Sequence, residues 1–258
     1  GGYRETITAE PHWIHDLVVS TLGEEWAGGF TDLKAIHLGT SQITDAGLRQ
    51  VSGLTNLKEL SLYETPVTDA GLRPVSSLTN LEVLWLSHTR VTDAGLKEIR
   101  GLDNLREIYL DHTRVTHTGL AHLSGLTKVQ ILFLHDTQIT DDGLRHLTDL
   151  SKLEQIELSN TRVGNAGLQH LSGLISLREI YLNDTRVTDD GLQHLSGLTN
   201  LQVLRLERAH LTDTGLRHIS ALSNLEVLHL RDCRITDAGL QELSGLVELR
   251  YLGLGGTQ

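Results

Sequence analysis

The hydrophobic positions of this chain repeat every 24 residues over most of its length. In the third copy, Leu84 and Leu86 show the alternation of a β-strand. Leu96 and Ile99, three residues apart, mark one face of a short helix. Each copy is therefore predicted to form a strand, a turn and a helix. An aliphatic residue opens each of ten copies, the last one shorter: Leu33, Leu57, Leu81, Leu105, Val129, Leu153, Leu177, Leu201, Leu225 and Leu249.

A single copy cannot bury its own apolar faces, because it contains nothing else to cover them. Stacking the copies side by side buries both faces, which is how a solenoid is stabilised. The array is predicted to cover residues 33–258 without a linker. Residues 1–32 break the pattern and are predicted to cap the open N-terminal end of the core with the bulky side chains of Trp13, Trp26 and Phe30.

The shared pattern L-x-x-L-x-L-x-x-T-x-[VI]-T-D-A-G-L resembles the leucine-rich repeat over residues 33–258. Its T-D-A-G-L segment resembles the ribonuclease-inhibitor-like and cysteine-containing subtypes, and above all a group of bacterial repeat proteins. The resemblance implies an α/β fold, a right-handed solenoid with parallel strands on the concave face and short helices on the convex face. Position 9 departs from the family pattern, since Thr stands in most copies where Asn or Cys is usual.

Two polar positions carry structural predictions. The position-9 hydroxyls are expected to bond the turn backbone of their own or a neighbouring copy, and Ala209 should leave a gap there. Cys233, also at position 9, is expected to be a buried structural thiol. Thr-Asp at positions 12 and 13 is read as a helix N-cap, which Asn165 supplies where Gly164 replaces the threonine.

The charge and composition of the chain limit which partners, cross-links and compartments are expected for it. The net charge of -11 argues against binding to a nucleic-acid backbone or an anionic membrane. The single cysteine excludes an internal disulfide framework. No apolar run reaches the length of a membrane span, so no direct membrane insertion is expected within residues 1–258. Two compartments stay open: the cytoplasm or, if a membrane segment lies upstream as in some of the bacterial proteins, an anchored ectodomain.

The tenth copy stops after its strand. We expect the parent chain to continue beyond it. Otherwise the chain is predicted to be a monomer, or a weak dimer through the uncapped strand edge.

The candidate binding surface lies on the solvent-facing side of the strands. Position 5 points away from the core, and Trp85, Tyr109 and Phe133 occupy it in consecutive copies. With strands about 4.8 Å apart, these three rings should form one line, here called the aromatic row. It is read as an interface, with a purely structural cross-strand ladder as the alternative. The predicted partner-binding residues are Tyr63, Trp85, Tyr109, Phe133, Glu157, Tyr181 and Arg205.

A second cluster lies where the strands end. We call it the rim cluster; its members are His88, Asp111, His112, His135 and Asp136. Two imidazoles and a carboxylate could bind a transition metal. The spacing follows from the repeat itself, however, so we favour a polar, pH-sensitive rim and assign no metal. A column of arginines is read as a set of exposed ion pairs or, alternatively, as a basic rail: Arg90, Arg114, Arg162, Arg186 and Arg234.

No catalytic motif stands out: every glycine-rich stretch is a repeat position, and no serine has the surroundings of a nucleophile. We therefore predict a protein without enzymatic activity or cofactor that recognises a protein or peptide on its concave face. The alternative is a carbohydrate-binding module that stacks sugar rings on Trp85 and Tyr109. A third, weaker hypothesis is a metal-dependent hydrolase at His88, His112 and Asp136.

Overall fold

The computed structural model describes residues 32–257. Within this range the strands form one parallel sheet in chain order, and each pairs only with the strands of the adjacent copies. The N-terminal cap predicted for residues 1–32 lies outside the described residues, apart from Asp32. The strands are β1 (Ala35–His37), β2 (Glu59–Ser61), β3 (Val83–Trp85), β4 (Glu107–Tyr109), β5 (Ile131–Phe133), β6 (Gln155–Glu157), β7 (Glu179–Tyr181), β8 (Val203–Arg205), β9 (Val227–His229) and β10 (Tyr251–Gly253).

The register has no offset from one copy to the next. Trp85 pairs with Tyr109, and Tyr109 pairs with Phe133, so each residue lies beside its counterpart 24 positions later. A connection of constant length therefore places every sequence position in a straight column across the sheet. The predicted α/β solenoid, with strands on the concave face and helices on the convex face, is confirmed.

The helices on the convex side are short, and several end in a turn of 3₁₀-helix. In the fourth copy the segment is only a 3₁₀-helix, Gly119–His122. In the other copies of the described range an α-helix begins at position 13: Asp45–Leu48, Asp69–Leu72, Asp93–Ile99, Asp141–Leu144, Asn165–Leu171, Asp189–Leu192, Asp213–Ile219 and Asp237–Glu242.

The core lies between the sheet and these helices. Leu84 and Leu86 of the strand and Leu96 and Ile99 of the helix are completely buried, as the 24-residue pattern predicts. The same positions are buried in the copies on either side, so the apolar core is continuous. Burial of an aliphatic side chain stabilises the fold by about 1.5–3 kcal/mol.

Polar bonds between copies run along the position 12–13 column. The Asp69 carboxylate accepts one hydrogen bond from the Thr92 backbone N–H at 2.7 Å and one from the Thr92 hydroxyl at 2.7 Å. Asp45 binds Thr68 in the same way, with distances of 2.8 and 2.6 Å. The aspartate thus bonds mainly to the next copy, and this column adds to the backbone hydrogen bonds of the sheet that join the same neighbours.

The N-cap prediction is correct for some copies and wrong for others. Thr68 and Thr92 each accept a 3.3 Å bond from an N–H of their own helix. Thr140 and Thr188 make no such cap. They follow copies in which His117 and Asn165 replace the aspartate, and the Asn165 amide donates to the Thr188 hydroxyl at 2.8 Å. We conclude that the threonine caps its helix when the aspartate of the preceding copy accepts the hydrogen bond of the threonine hydroxyl. The hydroxyl oxygen then keeps its lone pairs free to accept a bond from the helix N–H.

Asn165 itself is not a cap, contrary to the prediction from the sequence. Its side-chain oxygen accepts the Thr188 backbone N–H at 2.9 Å instead. The helix after Gly164 therefore has no side-chain cap.

The glycine of T-D-A-G-L makes room for the preceding aspartate. A Cβ on Gly95 would lie 2.6 Å from Asp69 Oδ1 and 2.9 Å from Val91 Cγ1. A Cβ on Gly143, which follows His117, would meet its nearest atom only at 3.1 Å. The closest approach therefore depends on the aspartate in the neighbouring copy.

The position-9 threonines do not form a ladder between copies. The hydroxyl of Thr89 donates to the Leu86 carbonyl of its own copy at 2.6 Å, and the others act alike. At Ala209 the gap is filled from the next copy, since the Cys233 thiol lies 3.2 Å from the Leu206 carbonyl oxygen. Burial raises the pKa of Cys233 to about 11, in keeping with a structural thiol.

Replacing Gly95 with Ala should lower the free energy of unfolding by about 1–3 kcal/mol, because the new Cβ displaces the Asp69 carboxylate. The matched control is Gly101→Ala, where a Cβ would meet nothing within 4 Å. It should change stability by no more than about 0.5 kcal/mol. Urea unfolding followed by circular dichroism compares the two. Equal stability of the two variants would contradict the role assigned to the aspartate column.

The aspartate column also predicts acid sensitivity. Burial acts to raise the pKa of Asp93, but hydrogen bonds from Thr116 and Thr118 outweigh it and hold the pKa below its usual 3.8. The carboxylate therefore stabilises the fold above that pH, and the contribution disappears as the pH falls through the lowered value. Asp93→Asn should reduce the melting temperature at neutral pH and flatten its decline between about pH 5 and pH 2.

The melting temperatures of the wild type and of Asp93→Asn, measured across this pH range, test the prediction. Asp103→Asn, an exposed carboxylate without a hydrogen bond to another copy in the described range, is the control and should leave the neutral-pH melting temperature unchanged. An acid profile of Asp93→Asn identical to that of the wild type would contradict the argument.

Candidate functional site

The aromatic row exists in the structure as the register requires. The Trp85 and Tyr109 rings are nearly parallel, with centroids 5.6 Å apart and planes 11° apart. The Tyr109 and Phe133 rings meet edge to face at 5.0 Å. Both distances lie in the range of favourable ring pairs. All three side chains are half-buried, so they pack on one another and remain partly accessible to solvent.

The row extends in both directions through histidines. His37 of β1 meets Trp85 edge to face at 5.7 Å, across the small Ser61 of β2. His135 lies 6.2 Å from Phe133 and connects the row to the rim cluster. The contribution of His37 was missed from the sequence, although it occupies the same position 5. The signal was the small residue between it and Trp85.

The other predicted binding residues do not join the ring contacts of the row, although Glu157 pairs with Phe133 in the next strand. Tyr63 is 39% exposed and contacts His88 of the rim, at 5.5 Å between ring centroids. Glu157 interrupts the column after Phe133, and its carboxylate accepts the backbone N–H of Ser159 at 2.8 Å. The structure therefore divides the predicted surface into two parts.

The second part is built around Tyr181. The Arg205 guanidinium lies 5.2 Å from the centre of the Tyr181 ring, a cation–π contact. The Tyr181 hydroxyl donates to Glu179 at 2.5 Å. Burial and the Glu179 carboxylate raise the pKa of the Tyr181 phenol far above its usual 10. A tyrosine clamped between a carboxylate and a guanidinium is a rigid group to present to a partner.

The rim cluster is also assembled as predicted. The His88 and His112 rings stack at 4.1 Å, and His112 meets His135 edge to face at 5.3 Å. His112 Nε2 lies 3.4 Å from Asp136 Oδ2, and His135 Nε2 lies 3.6 Å from Asp111 Oδ2. Five polar side chains from three copies thus form one contact network next to the aromatic row.

The left-handed backbone conformation at position 8 was missed from the sequence. Every residue there, from Thr40 to Asp232, has a positive φ between 53° and 61°. Asn, Asp and His tolerate this left-handed conformation better than most residues. The turn therefore accounts in part for His88, His112 and Asp136 standing in one column.

The arginine column stays exposed. Arg90, Arg114 and Arg162 form no ion pair within the described residues, so the expected pairs with nearby aspartates are absent there. Asp184 pairs with Arg208 of the next copy instead, which holds the pKa of that carboxyl below its usual value. The basic rail stays a prediction.

Among residues 32–257, no helix is long and apolar enough to cross a bilayer.

Comparison with known proteins identifies the repeat. A family model described as leucine rich repeat matches residues 103–163 and 199–258, and a model of two such repeats matches residues 55–98. No curated protein matches the chain at the significance required.

Several solved structures share the fold. An internalin (inlF) from Listeria monocytogenes is 22% identical with a TM-score of 0.69, over 85% of this chain and 67% of its own. Internalin C2 from the same species is 24% identical with a TM-score of 0.61, over 85% and 80%. A plant peptide hormone receptor, RGFR1 in complex with RGF2, is 14% identical with a TM-score of 0.52, over 88% and 44%. At these identities the likeness concerns the fold.

A double-mutant cycle tests whether the rings of the aromatic row stabilise one another or pack independently. Trp85→Ala and Tyr109→Ala should be non-additive in the free energy of unfolding by about 0.5–1.5 kcal/mol, because their rings stack. The control cycle pairs Trp85→Ala with Tyr181→Ala, four strands away, and should be additive within about 0.5 kcal/mol. Additivity in both cycles would show that the row contributes no stability of its own.

Proposed function

We propose that this chain, a leucine-rich-repeat protein, is a non-catalytic scaffold that binds a protein or peptide on its concave face. The aromatic row supports the proposal most strongly. Its rings come from separate copies, lie in contact with each other and remain partly exposed. Aromatic anchors held rigid by packing lose little entropy on binding, and such residues dominate the energetics of interfaces.

The surroundings of the row favour a partner of particular chemistry. Glu107 accepts a hydrogen bond from the Tyr109 hydroxyl at 3.0 Å, and Glu157 lies beside Phe133 in the next strand. Arg205 is engaged by Tyr181. The face is therefore apolar at its centre and acidic beside it, as the net charge of -11 also indicates. A peptide with apolar side chains flanked by lysine or arginine would match it.

The known relatives are compatible with this reading. RGFR1 is a plant peptide hormone receptor that was solved in complex with RGF2, and we infer by analogy that the fold of this chain suits peptide recognition. Here the corresponding proposal covers Tyr63, the aromatic row and, beyond Glu157, the Tyr181–Arg205 pair. A bacterial origin and the monomer, or the weak dimer through β10, stay predictions.

The carbohydrate alternative has less support. Sugar stacking needs an open ring face, whereas Tyr109 covers one side of Trp85 and His37 contacts it from the other.

Selection from a displayed peptide library against the immobilised protein tests the function. Selected peptides should be enriched in apolar and basic residues, and Phe133→Ala should weaken their binding about tenfold or more in a direct titration. The matched control is Ile175→Ala, which removes an apolar side chain that is 64% exposed outside the strands. It should bind as the wild type does.

Circular dichroism verifies that each variant is folded. Peptides that bind Phe133→Ala and Trp85→Ala as tightly as the wild type would remove the row from the interface. Binding of a glycan array, lost in Trp85→Ala, would support the carbohydrate alternative in place of the proposal.

A further inference from the structure

The rim cluster contains a buried carboxylate that the proposed peptide surface does not use. Asp111 is 7% exposed, and it is the one charged residue that is buried among residues 32–257. Burial of a carboxylate is costly unless hydrogen bonds and a positive charge compensate it. Ser87 donates one hydrogen bond to Asp111 Oδ1 at 2.5 Å, and the other oxygen has His135 Nε2 at 3.6 Å.

The neighbouring histidine is unusual as well. His135 Nδ1 is buried and has no hydrogen-bond partner in the described part of the chain. Most buried polar atoms in proteins are satisfied, so an exception calls for a physical reason. The buried carboxylate and the unsatisfied nitrogen occur in the same cluster, next to the stacked imidazoles of His88 and His112.

We propose that His88, Asp111 and His112 bind one divalent transition-metal ion of the zinc type. One ligand atom from each of these side chains lies within 4.8 Å of the other two. Metal bonds of about 2.0–2.2 Å would draw them closer together, which small rotations of the two exposed imidazoles allow. Two imidazoles and a carboxylate suit zinc, cobalt, nickel or copper better than calcium or magnesium.

The backbone already holds these ligands in place. The His88 N–H donates to the Asp111 carbonyl at 3.0 Å, and the His112 N–H donates to the His135 carbonyl at 3.1 Å. Ser87 holds Oδ1 of the carboxylate by a hydrogen bond, as outer hydrogen bonds do in metal sites. The ion would supply the positive charge that the buried Asp111 lacks. It would also keep coordination positions open to solvent or to a side chain of a partner.

A second triad competes for the same ion. His112, His135 and Asp136 also place one ligand atom each within 4.8 Å of the others. We assign the ion to the first triad, because its carboxylate is buried and held by Ser87, whereas Asp136 is more exposed. His112 belongs to both triads, so replacing His112 tests whether the cluster binds a metal ion. Replacing Asp111 or Asp136 tests which of the two triads binds it.

Titration of protein without a histidine tag tests the proposal, with Co²⁺ as a spectroscopic probe and Zn²⁺ by calorimetry. One equivalent should bind, and Zn²⁺ should displace the Co²⁺ absorption. His112→Asn should reduce the affinity by more than about tenfold, and Ser87→Ala by about 10–100-fold. Asparagine keeps the positive φ of position 8 accessible, so these histidine variants should fold.

The controls separate this site from other histidines and from the competing triad. His170→Asn on the convex helix should bind the metal as the wild type does, and so should Asp136→Asn. Asp111→Asn should lose binding; His88→Asn gives the same test if that variant does not fold. Binding that persists in His112→Asn, or that is lost in Asp136→Asn but kept in Asp111→Asn, would overturn the proposal. The readout is independent of peptide binding, so either proposal can fail alone.

Discussion

Most neighbouring copies are held together by the close contact of an aspartate, a threonine and a glycine, in addition to the backbone bonds of the sheet. The apolar core explains why the copies stack, but leucine contacts alone tolerate sliding. The Asp69 carboxylate bonds both the backbone N–H and the hydroxyl of Thr92, and it lies where only Gly95 leaves room. Directional bonds of this kind fix one copy against the next. They reinforce a register that copies of equal length already set, since β4 and β5 pair without an offset although His117 replaces the aspartate there.

Because the register is fixed, any surface on the strands is formed by side chains at the same position of neighbouring copies. A side chain at position 5 always meets position 5 of the neighbouring copies. Trp85, Tyr109 and Phe133 thus form a contact row although each belongs to a separate repeat. Rings that pack on one another and stay partly exposed are compatible with both readings, a structural ladder and an interface. The break at Glu157 shows how one polar residue divides such a surface.

The rim cluster illustrates how a structural requirement can supply chemistry. Position 8 needs a left-handed backbone, which favours Asn, Asp and His. The same residues are metal ligands and proton carriers. Where two copies in succession carry histidine, beside a buried Asp111, the turn residues come close enough to bind one ion. A turn preference and a binding site are therefore compatible explanations of the same residues.

The sequence alone determined the period, the strand and helix of each copy, the buried leucines and the outward row, because these follow from local periodicity and from copies of equal length. It also placed the rim residues in two adjacent columns. The tertiary structure decided what depends on contacts between copies. Thr68 caps its helix beside Asp45, whereas Thr188 beside Asn165 does not. Cys233 fills the gap at Ala209, Asp111 is buried, and His37 reaches Trp85 across Ser61. Each of these outcomes depends on distances and directions between side chains of different copies. The pattern of residues along the sequence carries no information about them.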